Sequence, residues 1–167
     1  KAAPLLRKRA FESARQHREE FLRRAILAFN EHGYAGTTTR RLAAACGVTE
    51  PTLYRAFGSK EGLFLAALRA ICKRRLARYQ AEAEGPGGWL ARAQRLARLD
   101  KQLDAEHPEE LRILHNAMGD LANPRLRALV GRHYRTYYGM NLRMIRRAQA
   151  AGEFSKDIPE RALPWLI

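Results

Sequence analysis

The chain has 167 residues, of which 46% are hydrophobic and 29% charged; it is long enough to bury one or two small cores and has a globular rather than a disordered composition. Its formal net charge of +14, from 31 Lys+Arg against 17 Asp+Glu, favours a polyanionic partner. No apolar run approaches the ~18 residues of a membrane span, and no apolar stretch follows the charged N-terminus as a secretion signal would require, so a cytoplasmic protein with no membrane contact is expected.

Both halves are basic: the first 84 residues hold 17 Lys+Arg against 8 Asp+Glu, and the remainder 14 against 9. Charge alone does not choose between DNA, RNA and an anionic membrane. The two cysteines, Cys46 and Cys72, each fall in an apolar helical stretch and read as small core residues. No Cys/His spacing resembles a zinc site, so neither metal nor cofactor is expected.

Nothing reads as a strand. β-branched residues are sparse, period-two alternation is missing, and apolar residues recur at helical spacing between Gly and Pro breaks. Residues 1–12, with Arg7, Lys8 and Arg9 in a row, read as a loose basic arm, either a minor-groove reader or a solvated tail. The first helix is predicted from Ser13 to His32, with Ser13 and Gln16 as a capping box, an apolar face of Phe21, Leu22, Ala25, Ile26 and Phe29, and Gly33 as its stop. A short helix from Thr39 to Cys46 follows, capped by Thr38 and ended by Gly47. Another begins after Thr49, with Pro51 in its first turn, and ends near Phe57. Ser59 caps a long helix from Lys60 to about Glu82. Gly85-Pro86-Gly87-Gly88 is the strongest punctuation and reads as the loop between two subdomains. Helices are then predicted from Trp89 to about Leu103, from Pro108 to about Leu121, from Asn123 to about Ala151, and from near Asp157 or Pro159. The sequence is still apolar at Ile167, and the natural chain is expected to continue.

The stretch from Thr37 to Leu63 carries the chemistry. Two short helices are joined by the tight turn Gly47-Val48; Ala43, Ala44 and Ala45 allow close packing, and Leu42, Val48 and Leu53 can hold the pair together. This is the plan of a helix-turn-helix. The second helix presents Thr49, Glu50, Thr52 and Arg55 near its start, groups short or basic enough to approach base edges in a major groove. Tyr54 offers a hydroxyl to a phosphate or packs on the first helix, and Lys60 opens the next helix, whose N-terminus favours anions.

These residues closely resemble the DNA-binding domain of the tetracycline-repressor (TetR/AcrR) family. The match runs from Phe29 to Phe64: Phe29, His32-Gly33-Tyr34, Gly36-Thr37-Thr38, Leu42-Ala43, Gly47-Val48, Pro51-Thr52-Leu53-Tyr54, Phe57, Ser59-Lys60-Glu61 and Leu63-Phe64. The resemblance implies an all-α fold, with a three-helix helix-turn-helix domain (13–60), a connecting helix (61–84) and a helical effector-binding and dimerisation domain (85–167). It implies roles for Thr38 as cap and phosphate neighbour, for Thr39 and Arg40 at the start of the first motif helix, for Pro51 and Thr52 at thymine methyls and backbone, and for Tyr54 and Lys60 as phosphate clamps. Arg40 is the candidate for a bidentate contact to guanine O6 and N7, with phosphate as the rival partner. Three positions depart from the pattern. Arg41 stands where many members have an acid, which removes a capping box with Thr38 and leaves Arg41 to face phosphate. Glu50 either accepts from cytosine N4 or repels the backbone. Arg55 and Ala56 replace an aromatic and a histidine. These departures bear on the operator sequence.

In the second half, Leu126, Leu129, Val130, His133, Tyr134, Tyr137, Tyr138, Asn141, Met144 and Ile145 make a face too wide for one side of a monomeric bundle. The resemblance suggests that this helix and the last form a four-helix contact across a two-fold axis. Trp89, Leu114, His115, Met118, Tyr134, Tyr137 and Tyr138 are candidates to line a ligand cavity or to fill the core, and the arginine surplus hints at an anionic or amphipathic effector. The expected function is a homodimeric, sequence-specific repressor released from a palindromic double-stranded operator by a small molecule. The alternative is a ligand-independent architectural DNA binder. No nucleophile–base pair, metal spacing or phosphate loop points to an enzyme; His17, His32, His107, His115 and His133 are scattered.

Overall fold

The computed structural model describes residues 3–156, with side chains from 16 onward. Seven helices occur among the described residues and no strand: α1 (Ala3–Gly36), α2 (Thr39–Cys46), α3 (Glu50–Phe57), α4 (Lys60–Glu84), α5 (Trp89–Glu106), α6 (Pro108–Gly119) and α7 (Pro124–Ala150). None is long and apolar enough to cross a membrane. The helix expected near Asp157 or Pro159 lies outside the described residues.

The chain forms two compact units that divide inside α4, Lys1–Ala70 and Ile71–Ile167. The break therefore falls in mid-helix and not at Gly85–Gly88, which is a turn within the second unit. The reason lies in α4 itself. Its first half contributes Leu63, Phe64, Ala67 and Leu68 to buried positions of the first unit, and its second half contributes Ile71, Cys72, Tyr79 and Ala83 to the second. A long helix with apolar residues along its whole length can serve two cores, and no linker is needed.

In the first unit, α1 begins ten residues before the expected start, at Ala3, and runs unbroken through Ser13, which is therefore no cap. Residues 3–12 are mostly Ala, Leu, Arg, Lys and Glu, strong helix formers, and a run of three cations does not end a helix. The helix proper stops at Gly33, whose φ of 67° no β-branched residue would tolerate. Leu22, Ala25, Ile26 and Phe29 are buried as expected, with Phe21 half-buried and stacked on Phe57 at 5.2 Å. Phe29 meets Phe64 edge-on at 5.2 Å, and Tyr34 closes on Phe64 at 5.0 Å, so one aromatic cluster joins α1, the turn after it and α4.

The second unit packs α5 on α6 and both on α7. Tyr79, Ala83, Leu96, Leu99, Leu103, Met140 and Met144 form a core cluster against which Trp89 and Tyr137 pack. Asn123 caps α7 through its side-chain oxygen, which accepts from the Arg125 and Leu126 amides. Gly152, at φ 74°, follows the end of α7. The Trp89 amide, at the start of α5, donates to the Glu153 carboxylate, and the Trp89 ring meets Phe154 at 5.1 Å.

Two outcomes follow. Gly47 joins α2 to α3 at φ 69° and ψ 33°, while a Cβ there would meet only Arg24 Nη1 at an ordinary 3.7 Å. Gly47→Ala is therefore expected to carry backbone strain without a clash, costing about 1 kcal/mol and lowering the thermal midpoint by about 2–4 °C. Cys46 and Cys72 are both buried, and burial pushes each thiol up to about 11. At pH 8 only about one thiol in a thousand is then thiolate. Native protein should resist Ellman's reagent over the minutes in which guanidinium-unfolded protein titrates two thiols per chain.

Candidate DNA-reading face and ligand cavity

The helix-turn-helix is built around Leu42 and Leu53, both fully buried, with Ala43 and Cys46 beside them. Thr38 caps α2, its hydroxyl accepting from the Arg41 amide at 3.2 Å. Gly47 in the left-handed region lets its own amide and that of Val48 return to the carbonyls of Ala44 and Ala43 at 3.1 and 3.0 Å, which closes α2 and starts the turn. Thr49 stands at the cap position of α3, but its hydroxyl pairs with Thr52 Oγ1 at 3.0 Å and makes no cap bond to the backbone. Pro51 sits in the first turn of α3, where a missing amide hydrogen is no loss.

This packing leaves one set of side chains outside. Thr38, Arg40, Arg41, Thr49, Pro51, Thr52, Tyr54 and Arg55 are all exposed, at the starts of α2 and α3 and along the outer side of α3. Tyr54 keeps 45% of its surface, so it is not packed into α1. Glu50 is the single carboxylate of the set. Thr39 Oγ1 donates to Glu50 Oε2 at 2.7 Å, which ties the first turn of α3 to the first turn of α2. Both are half-buried by that contact. Arg41 donates from Nη1 to the Gly36 carbonyl at 3.2 Å, reaching back over its own helix start. Lys60 is placed differently from a free clamp. Its Nζ donates to the carbonyls of Tyr34 (2.9 Å) and Thr37 (3.0 Å) and lies 4.6 Å from the Tyr34 ring centre. Two of its three donors are spent inside the protein. Arg7, Lys8 and Arg9 lie outside the residues whose side chains are described.

The second unit holds a cavity of about 320 Å³. Of the seven side chains expected there, Leu114, His115, Met118, Tyr134 and Tyr137 line it. Trp89 does not, because Glu153 and Phe154 hold it at the start of α5. Tyr138 does not either; it is 42% exposed, one residue round α7 from Tyr137. Sequence reasoning missed the polar wall, made by Arg75 and Tyr79 of α4 and Asp100 and Asp104 of α5. Arg75 Nη2 donates to Asp104 Oδ1 at 2.8 Å, to Tyr79 Oη at 3.1 Å and to Asp100 Oδ1 at 3.2 Å, and Tyr79 Oη donates to Asp100 Oδ1. Burial works against the Arg75 charge, but the Asp104 hydrogen bond and the Tyr79 contact outweigh it and hold the guanidinium protonated. Burial, and then the bond to Asp100, keeps the Tyr79 phenol protonated. Burial lowers the pKa of His133, also in the wall, and the Arg75 charge adds to that, so its neutral form is favoured.

A signal for this wall did exist in the sequence. Leu68, Cys72, Tyr79 and Ala83 follow one face of α4, and Arg75 falls on the same face, where a cation needs a partner. Asp100 and Asp104, four apart on α5 beside Leu99 and Leu103, supply it. Elsewhere in this unit, His107, Glu109 and Glu110 bring ligand-type atoms within 4.8 Å of one another. Arg74 already pairs with the buried Glu110, and its charge repels a cation there.

Residues 21–67 match the family model described as bacterial regulatory proteins, tetR family. Over 52 residues the chain is 48% identical to the HTH-type transcriptional repressor AcnR of Corynebacterium glutamicum, a match covering 31% of this chain and 28% of AcnR. Over 145 residues it is 26% identical to the HTH-type transcriptional regulator UidR of Escherichia coli, covering 87% of this chain and 72% of UidR. It thus spans under a third of AcnR, and the match to UidR is longer but weaker. Among solved structures, a transcriptional regulator of the TetR/AcrR family from Thermobifida fusca superposes with a TM-score of 0.68 at 28% identity, covering 90% of this chain and 80% of that one. The N-terminal match falls on α1 to α4, the elements that build the exposed reading face, and the Thermobifida fusca superposition extends the likeness of fold to 90% of the chain. Residues 21–67 thus carry the sequence pattern of the tetR family of bacterial regulatory proteins, and the chain resembles the Thermobifida fusca TetR/AcrR-family structure over most of its length.

Proposed function

We propose that the protein is a cytoplasmic, non-enzymatic transcriptional regulator that binds a palindromic DNA operator as a homodimer and is released by a small-molecule effector. The observation that carries this reading is the single exposed set on α2 and α3: Arg40, Arg41 and Arg55 among short hydroxyl groups and Pro51, with the one carboxylate, Glu50, engaged by Thr39. A face with exposed guanidinium groups, small side chains and a restrained acid suits a major groove, where arginine reads guanine and small groups let the helix approach the bases. The cavity in the second unit supports ligand control over ligand-independent packaging of DNA, because an architectural binder has no use for a pocket with a polar wall. Dimerisation is part of the proposal because one eight-residue recognition helix spans too few bases for useful specificity.

The test is selection from a random duplex pool, followed by anisotropy titration of the enriched sequence. A palindrome with half-site centres about one DNA turn apart, ~34–36 Å, is expected; binding without sequence preference overturns the proposal. Arg40→Ala should cost about 1–3 kcal/mol of binding and relax the preference at one base pair in each half-site. If Arg40 instead meets phosphate, affinity falls evenly across all sequences.

Lys60→Met separates two roles. Loss of a phosphate contact alone would weaken DNA binding and leave the thermal midpoint unchanged. Because Lys60 fastens Tyr34 O and Thr37 O, the variant is expected to lose stability as well, by about 1–3 kcal/mol.

A further inference from the structure

The guanidinium of Arg75 is buried, with 6% of its side chain exposed, yet only one of its terminal nitrogens is used by the protein. Nη2 serves Asp104, Asp100 and Tyr79, whereas Nη1 is buried with no hydrogen-bond partner among the described residues. A buried donor without an acceptor is costly, and it calls for an acceptor from outside the chain, a ligand or a water. Arg75 lines the 320 Å³ cavity, beside Leu111, Leu114, Met118, Val130, Tyr134 and Tyr137, and a small turn of its side chain would bring Nη1 to a ligand held there. We propose that the cavity takes a compact, uncharged, largely apolar molecule, and that a carbonyl-type oxygen of that molecule accepts from Arg75 Nη1. The proposal rests on the ligand-controlled reading above and names the class of effector.

Charge decides against an acid. The Arg75 charge is already met by Asp104 at 2.8 Å and Asp100 at 3.2 Å, so the wall holds two carboxylates for one guanidinium. His133 does not restore the balance, since its neutral form is favoured by burial and by Arg75 itself. A ligand carboxylate would bring a third negative charge into a partly desolvated site. What Arg75 still lacks is an acceptor rather than a counter-charge, and a neutral oxygen supplies it. This sets aside the anionic half of the anionic or amphipathic effector that the arginine surplus suggests. Most of that surplus lies on exposed surface, and the one arginine in the cavity wall is already paired. The remaining walls select the body of the ligand. Tyr134, Tyr137 and His133 offer ring faces and edges, and Met118 an adaptable thioether, so a flat ring fits better than an extended chain. The volume lies at the low end of the ~300–1,000 Å³ of small-molecule pockets, which favours one or two rings.

The experiment compares ligands of one shape with three kinds of end group. Acetophenone and benzophenone offer a neutral carbonyl oxygen. α-Methylstyrene and 1,1-diphenylethylene replace that oxygen with a carbon. Benzoate replaces the methyl group of acetophenone with a charged oxygen. Each is titrated by calorimetry and ligand-observed NMR into the full-length protein. Each ketone should bind about tenfold or more tighter than its acceptor-free partner, because a site with an orphaned donor discriminates against the analogue that cannot satisfy it. Benzoate should bind more weakly than acetophenone at neutral pH. Arg75→Lys keeps the charge facing Asp104 and Asp100 but removes the second nitrogen; ketone affinity should fall to that of the hydrocarbon, which should not change. Met118→Trp, at a position 45% exposed, leaves Arg75 untouched and should block every probe, which locates binding in this cavity even if Arg75→Lys does not fold.

Equal binding of ketone and hydrocarbon overturns the proposal. So does tighter binding of benzoate, or no binding by any neutral probe up to its solubility. The selected operator duplex separates this from the proposed function: ketone binding that leaves DNA affinity unchanged overturns ligand control of this protein and leaves the assignment of the cavity standing.

Discussion

Lys60 Nζ lies within 3.0 Å of two carbonyl oxygens, Tyr34 O at the end of α1 and Thr37 O just before α2, while its own backbone opens α4. Three helices of the first unit meet at this ammonium. Tyr34 lies in the last turn of α1 and Thr37 outside any helix, so neither carbonyl has a helical amide to accept from and each would otherwise depend on water or on irregular packing. The Tyr34 ring below the ammonium and the Phe29 and Phe64 rings beside it make the site partly apolar, which strengthens the charge–dipole contacts. Thr37, fully buried, adds a second fastening by donating its hydroxyl to Gly33 O. The turn from Gly33 to Thr38 is therefore fixed from both ends, and with it the direction in which α2 leaves. The position of α3 follows from α2, through the Gly47 turn, the Leu42–Leu53 core and the Thr39–Glu50 bond. The exposed reading face is thus a consequence of contacts that read nothing themselves.

The second unit depends on a different constraint. A guanidinium buried among apolar helices costs more than its ion pairs return unless its other donors are also met. Arg75 has Asp104, Asp100 and Tyr79 on one nitrogen, and Tyr79 is bonded in turn to Asp100, so the network closes on itself on that side alone. The other terminal nitrogen, Nη1, is buried without a partner among the described residues, on a side chain that lines the cavity. Folding stability by itself would favour a leucine or methionine at this position. A lopsided network around one arginine is better understood as a binding wall whose last acceptor comes from outside the chain.

How much of this was legible follows from what each feature depends on. Helix ends set by Gly33, Gly47, Pro108 and Asn123 were readable, because a positive φ, a missing amide hydrogen or a side-chain cap is a local property. The start of α1 was not. A cationic run looks like a tail, yet Arg and Lys are good helix formers and nothing between Leu5 and Ala10 breaks a helix. The boundary between the units was misread for a related reason: Gly85-Pro86-Gly87-Gly88 marks a turn, but cores are separated by packing, and α4 carries buried residues on both sides of Ala70. The reading face was legible because helix and turn fix it within about twenty residues. The polar wall was not, since Arg75 and its acids lie 25 and 29 residues apart and meet only once α4 and α5 have packed. Tyr138 and Tyr137 show the limit of composition: adjacent residues of one type, of which only Tyr137 lines the cavity.

One element belongs to both constraints. Lys60 and Arg75 are residues of the same helix, fifteen positions apart, and α4 is continuous between them. A helix transmits displacement along its axis because its hydrogen-bond ladder resists local stretching, whereas a Gly-rich linker would absorb it. The placement of the unit boundary within α4 therefore bears on function under the proposed reading. If a ligand oxygen accepts from Arg75 Nη1, the group that meets it is carried by the helix whose first residue fastens the turn before α2. A ligand acts on DNA affinity only through its unequal preference for two states of the protein. An unpaired donor supplies such a preference, since it is satisfied only in the arrangement that brings Arg75 to the ligand.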